Sequence, residues 1–141
     1  MQIFKNNSLK RSHLFVLTPF VIMAVLWATL PSMAGSPFQG EWAGMSTVEG
    51  TSNVMTRIVF KDKGGKVYYD TAPDCTIKFK QLLPVSDSES QAAVDSSTGG
   101  ACDHMWSGRI TIKDTGNAKI TYTFTDKENK PWATGVLQST D

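Results

Sequence analysis

The residues beyond position 34 predict a small all-β domain: an antiparallel meander of about eight strands closed into a barrel, with a flattened β-sandwich as the alternative. Three observations carry this. Apolar residues recur with period two and not 3.6, turn residues punctuate the runs at short intervals, and no ten-residue window shows the one-sided periodicity of an amphipathic helix. Eight antiparallel strands in so short a chain favour closure, because a barrel leaves no unpaired edge. An eight-strand barrel either fills its interior with side chains or holds one small ligand, and a chain of this length points to a filled one.

The chain opens with a segment of another kind. Lys5, Lys10 and Arg11 precede an uncharged apolar run from Leu14 to Leu30; after Pro31, Ser32-Met33-Ala34 places small residues three and one positions before a scissile bond between Ala34 and Gly35. Residues 1–34 therefore read as a secretory signal peptide and residues 35–141 as a single domain, periplasmic or secreted. An uncleaved membrane anchor is the competing reading of the run. No cysteine follows the run to carry a lipid, and no later apolar stretch approaches the ~18 residues that cross a bilayer. After cleavage no stable membrane insertion is expected.

The strands follow in order. Gly40–Val48 opens the meander, and Val54–Lys61 turns Val54, Thr56, Ile58 and Phe60 to one face. Lys66–Asp70 contains the adjacent Tyr68 and Tyr69, which must point to opposite faces, so one of them lies outside. In Cys75–Leu83, Cys75, Ile77 and Phe79 alternate with Thr76, Lys78 and Lys80. Gln91–Ser96 has the weakest pattern and follows a polar loop, Ser86-Asp87-Ser88-Glu89-Ser90. Ser107–Lys113 sets Ile110 and Ile112 inward, Ala118–Thr125 does so with Ile120, Tyr122 and Phe124, and Trp132–Ser139 completes the count. Lys63-Gly64-Gly65, Ala72-Pro73-Asp74, Thr98-Gly99-Gly100, Asp114-Thr115-Gly116-Asn117 and Asp126-Lys127-Glu128-Asn129 are turn signals between them.

Cys75 and Cys102 are the only cysteines, and both fall in the exported part, where the compartment is oxidising. One disulfide is the reading. A redox pair usually has Cys-x-x-Cys spacing, and a zinc site needs more ligands than His104 alone would add. Closing this loop removes denatured-state entropy worth about 3–4 kcal/mol.

Without residues 1–34, eleven basic residues stand against thirteen acidic ones, a net charge of −2. A weakly acidic chain with no Lys/Arg cluster gives no footprint for nucleic acid or an anionic membrane.

Phe38-Gln39-Gly40-Glu41-Trp42 resembles the Phe-x-Gly-x-Trp opening of lipocalins and related calycin barrels. The resemblance implies a barrel in which Gly40 bends the chain into the first strand and Trp42 closes one end. The chain departs from that family in being shorter and in offering no Arg or Lys from the last strand to lie over Trp42. A longer pattern, Trp42-Ala43-Gly44, Tyr68, Cys75, Cys102, an Ile-x-Ile strand, Tyr122 and Gly135-Val136-Leu137, is similar to small secreted β-modules of bacterial envelope proteins. The domain is also similar to periplasmic protease and lysozyme inhibitors, small exported barrels with one disulfide: Ala101-Cys102 followed by Trp106 resembles a segment of the bacterial metalloprotease inhibitors, although the other cysteine stands elsewhere in that family.

Catalysis finds little material here. His104 is the only imidazole after residue 34, no Gly-x-Ser-x-Gly turn is present, and the carboxylates lie scattered through turns beside lysines. Asp103 beside His104 reads as a polar loop residue, and no cofactor or metal motif appears. The remaining candidates are aromatic: Trp42, Trp106 and Trp132 either plug the barrel ends or are presented by loops. The segment after the second cysteine, His104, Met105 and Trp106, is the candidate partner-binding patch, since a disulfide stiffens its Gly-Gly-Ala-Cys lead-in. The expected function is a non-enzymatic binding or inhibitor module of the envelope, acting on a protein, glycan or lipid. A calycin-like carrier of a small apolar ligand is the alternative, and a hydrolase a distant third.

Overall fold

A computed structural model of the protein describes residues 38–70 and 74–141. The segment 1–34, the junction of Ala34 and Gly35 and the Ala72-Pro73 turn lie outside the described residues. Eight strands form: β1 (Gly40–Val48), β2 (Thr51–Lys61), β3 (Gly64–Tyr69), β4 (Thr76–Pro84), β5 (Glu89–Ser97), β6 (Arg109–Gly116), β7 (Lys119–Thr125) and β8 (Pro131–Ser139). Each pairs antiparallel with its neighbour in sequence, and β1 closes on β8 from Trp42↔Ser139 to Val48↔Ala133. The domain is thus an eight-strand up-and-down barrel, and the sandwich alternative falls away. Among the described residues no helix is long and apolar enough to cross a membrane.

Local chemistry sets the hairpins. Glu49 and Gly50 both have positive φ (47° and 81°), as do Asn117 and Ala118 (55° and 53°); two such residues in succession make the turn whose twist matches a right-twisted strand pair. Two sequence expectations need correction. The polar segment before β5 is shorter than read: the strand already begins at Glu89, and Ser90, opposite Ile112, is buried. The Gly99-Gly100 stretch is not a bare turn, since Gly100–Met105 winds into a short 3-10 helix and β6 starts only at Arg109.

The period-two faces hold. Ile77, Phe79, Ile110, Ile112, Ile120, Tyr122 and Phe124 share one buried core with Ile58, Val67 and Leu137, while Lys78, Lys80, Lys113 and Lys119 face outward. Tyr69 points in and Tyr68 out, as adjacent strand residues must. At the end of the barrel where the chain enters, Phe38 stacks on Phe60 (5.5 Å) and edges Trp42 (6.5 Å), whose indole N–H donates to the Gln39 carbonyl at 2.9 Å. At the opposite end Tyr69 meets Trp132 edge-on at 5.8 Å. Trp42 and Trp132 thus pack against the core from its two ends.

A small polar cluster sits inside. The Tyr122 hydroxyl donates to Ser46 Oγ at 2.8 Å and stands 3.3 Å from the Tyr69 hydroxyl. Gly135 makes room for it, since a Cβ there would meet Tyr122 Cε1 at 2.6 Å and collide with Ser46 Oγ. Burial holds both phenols above their ordinary value of 10.0, and for Tyr69 the neighbouring Tyr122 adds to the rise. A raised folded value means stability that is complete below the pH where unfolded tyrosines ionise and is lost as pH climbs toward the folded values. Urea unfolding at increasing pH should therefore show stability falling above about pH 10, and a Tyr69→Phe, Tyr122→Phe variant falling less steeply. Equal slopes for the two proteins would refute the assignment.

Candidate functional site

The disulfide ties the segment preceding β4 to the 3-10 helix, with the Cα atoms of Cys75 and Cys102 6.1 Å apart; the described residues hold no free cysteine. A 3-10 helix brings residues i and i+3 to one side. Cys102 and Met105 accordingly both go into the core at 0% exposure, and Asp103, His104 and Trp106 stay outside. The patch read from sequence as His104, Met105 and Trp106 is corrected on this point: Met105 is an anchor beneath the loop and presents nothing. Trp106, by contrast, is 71% exposed, the most exposed of the large apolar side chains described.

Further bonds hold the loop still. The Ser97 hydroxyl donates to Asp103 Oδ1, the Trp106 N–H to the Asp103 carbonyl at 3.1 Å, and the Gly108 N–H to the Met105 carbonyl at 2.8 Å. Asp103 thus turns its carboxylate to a serine and not to His104, which makes no hydrogen bond or ion pair among the described residues. This is not the acid–imidazole–hydroxyl order of nucleophilic catalysis. Beside the loop, a depression of about 470 Å³ is lined by Glu49, His104, Asp126, Lys130 and Trp132. The Trp132 indole N–H is buried there without an acceptor among the described residues. Glu49, Asp70, Asp74, Asp103, Asp126 and Glu128 lie in or beside the turns at this end, where they outnumber Lys127 and Lys130 and leave it acidic.

Charge reading from the linear chain missed a second surface. On the outer face of β2, β3 and β4, a groove of about 520 Å³ has the outward side chains of Val59 and Tyr68 along its floor and Lys61, Lys66, Lys78 and Lys80 around it, with Lys63 added by the β2–β3 turn. The expectation of no basic cluster is corrected: the fold assembles five lysines that the sequence spreads over twenty residues. The signal was available in the parity of the strands, because Lys61, Lys66, Lys78 and Lys80 all occupy outward positions of consecutive hairpin strands. Lys66 and Lys78 stand directly opposite each other across the β3–β4 ladder. Lys80 pairs with Asp95 at 2.9 Å; among the described residues Lys61, Lys63, Lys66 and Lys78 have no ion pair. The Arg57 guanidinium covers the Tyr68 ring at 4.6 Å and reaches Glu41 at 3.5 Å.

No group of three or more potential metal ligands occurs among the described residues. No protein-family model, curated protein or solved structure matches the chain.

Proposed function

We propose that the domain is a non-enzymatic binding or inhibitor module of the cell envelope that presents Trp106 to a protein partner. The supporting observation is one large ring, 71% exposed, on a loop fixed from below by the buried Met105 and by the Cys75–Cys102 bridge. An exposed indole on a mobile loop loses on binding the entropy it had; on a stapled loop that loss is largely removed in advance. Trp is also the residue type in which interface energy concentrates.

The acidic turns around it add the partner's character: an apolar pocket with a basic rim, which the surrounding carboxylates attract before contact. The similarity of Ala101-Cys102 and Trp106 to a segment of exported metalloprotease inhibitors belongs to the same reading. A filled interior, with Ile58, Ile77, Ile110, Ile112, Ile120 and Phe124 at 0% exposure, favours surface recognition over a carrier role.

The test is affinity capture from envelope extract with wild type, Trp106→Ala and Lys119→Ala proteins, followed by titration of whatever is recovered. Trp106→Ala should weaken the recovered complex by about 2 kcal/mol, roughly thirtyfold, and leave unfolding unchanged, while Lys119→Ala keeps both. A partner held equally by wild type and Trp106→Ala would end this assignment.

A further inference from the structure

The lysine groove lies at the other end of the barrel from Trp106, by the β2–β3 turn, and the Trp106 surface makes no use of it. We propose that it is a binding site for a compact, multiply phosphorylated anion of sugar size, either free or carried as the head group of a lipid. Three features of the groove lead there.

The first is its charge. Five ammonium groups meet two carboxylates, Asp62 and Asp95, around one concavity, in a domain whose residues 35–141 sum to −2. The directly opposed Lys66 and Lys78 repel, and like charges facing across a ladder oppose folding. Packing does not require them, since both are exposed. A ligand that neutralises them turns that repulsion into attraction.

The second is the type of cation. All five groups on the groove are lysines, while Arg57 is occupied by Glu41 and the Tyr68 ring. The planar fork of arginine matches carboxylate and phosphate alike; lysine also serves phosphate, as a point charge with donors that rotate to any oxygen. Several lysines around one hollow suit several phosphates on one small scaffold.

The third is size and floor. About 520 Å³ takes a ring of one or two sugar units but not a length of polymer. Val59 and Tyr68 provide an apolar floor for the non-polar face of such a ring. A long polyanion would also run onto the acidic turns of the opposite end, whereas a compact one does not leave the groove.

The experiment is calorimetric titration of the purified protein with inositol hexakisphosphate at low and high salt. Beside it run co-sedimentation with phosphatidylcholine vesicles with and without phosphatidylinositol bisphosphate, and titration with single-stranded oligonucleotide. Saturable binding of the inositol phosphate that weakens as salt rises is expected, with Lys66→Gln and Lys78→Gln each lowering affinity about tenfold and Lys119→Gln leaving it unchanged. Vesicle binding that needs the phosphorylated lipid assigns the ligand to a membrane head group, and binding of the free compound alone assigns it to a soluble one. Both variants should stay folded, and Trp106→Ala should bind the inositol phosphate like wild type, which keeps this site separate from the Trp106 surface. No binding of the inositol phosphate at low salt, affinity unaltered by both lysine substitutions, or tighter binding of the oligonucleotide would overturn the proposal.

Discussion

Removing the disulfide should cost about 3–4 kcal/mol. The bridge joins residues 27 apart, and in the unfolded chain it forbids the conformations in which those residues separate. For a domain of this size, with total stability of about 5–15 kcal/mol, that is a substantial share. A Cys75→Ala, Cys102→Ala protein should therefore unfold at markedly lower urea and at a temperature lower by about 4–8 °C for each kcal/mol lost. The loss should be uneven across the molecule. The 3-10 helix Gly100–Met105 is held by the bridge, by Met105 and by few hydrogen bonds, while each strand is held on both sides by ladders. Hydrogen exchange should accordingly open residues 98–108 before the strands. A double variant within about 1 kcal/mol of wild type would show that the bridge merely decorates a loop already fixed by packing.

The second large effect is expected inside. Ile120→Ala should cost about 2–5 kcal/mol, because the deleted atoms leave a cavity among Ile112, Tyr122 and Leu137, which are themselves locked in a closed barrel. Ile120 has no exposed surface, pairs with Leu137 across the β7–β8 ladder and stands opposite Asp114 on β6. Its neighbour Lys119 points outward, and Lys119→Ala should stay within about 0.5 kcal/mol. Denaturant midpoints of the two variants provide the comparison. Similar losses at the two positions would mean that the faces of β7 are assigned the wrong way round.

The two surfaces differ in how they hold an occupant. Trp106 is one apolar ring on a rigid loop amid carboxylates, so its complex should tighten with pocket fit and depend modestly on salt. The lysine groove is dominated by charge, so its complex should weaken steeply as ionic strength rises. Salt dependence thus separates the two modes for any ligand recovered on the intact protein.

Features that repeat locally were legible in the linear chain. In a strand the side-chain period is two whatever the strand packs against, so Ile110-Thr111-Ile112 and Ile120-Thr121-Tyr122-Thr123-Phe124 declared their inner faces, and positions such as Lys78 and Lys119 their outer ones. The two cysteines declared the bridge, because pairing needs only oxidation and reach. Folding settled three other features. It set Met105 beneath the loop and Trp106 above it, since a 3-10 turn repeats every three residues and places Met105 with Cys102, a geometry the Gly-Gly lead-in did not announce. It drew Ser90 into the core, because the β5–β6 register puts it opposite Ile112. It gathered Lys61, Lys66, Lys78 and Lys80 around one hollow: closure of a meander makes outward residues of successive strands into neighbours, and a net charge of −2 averages that concentration away.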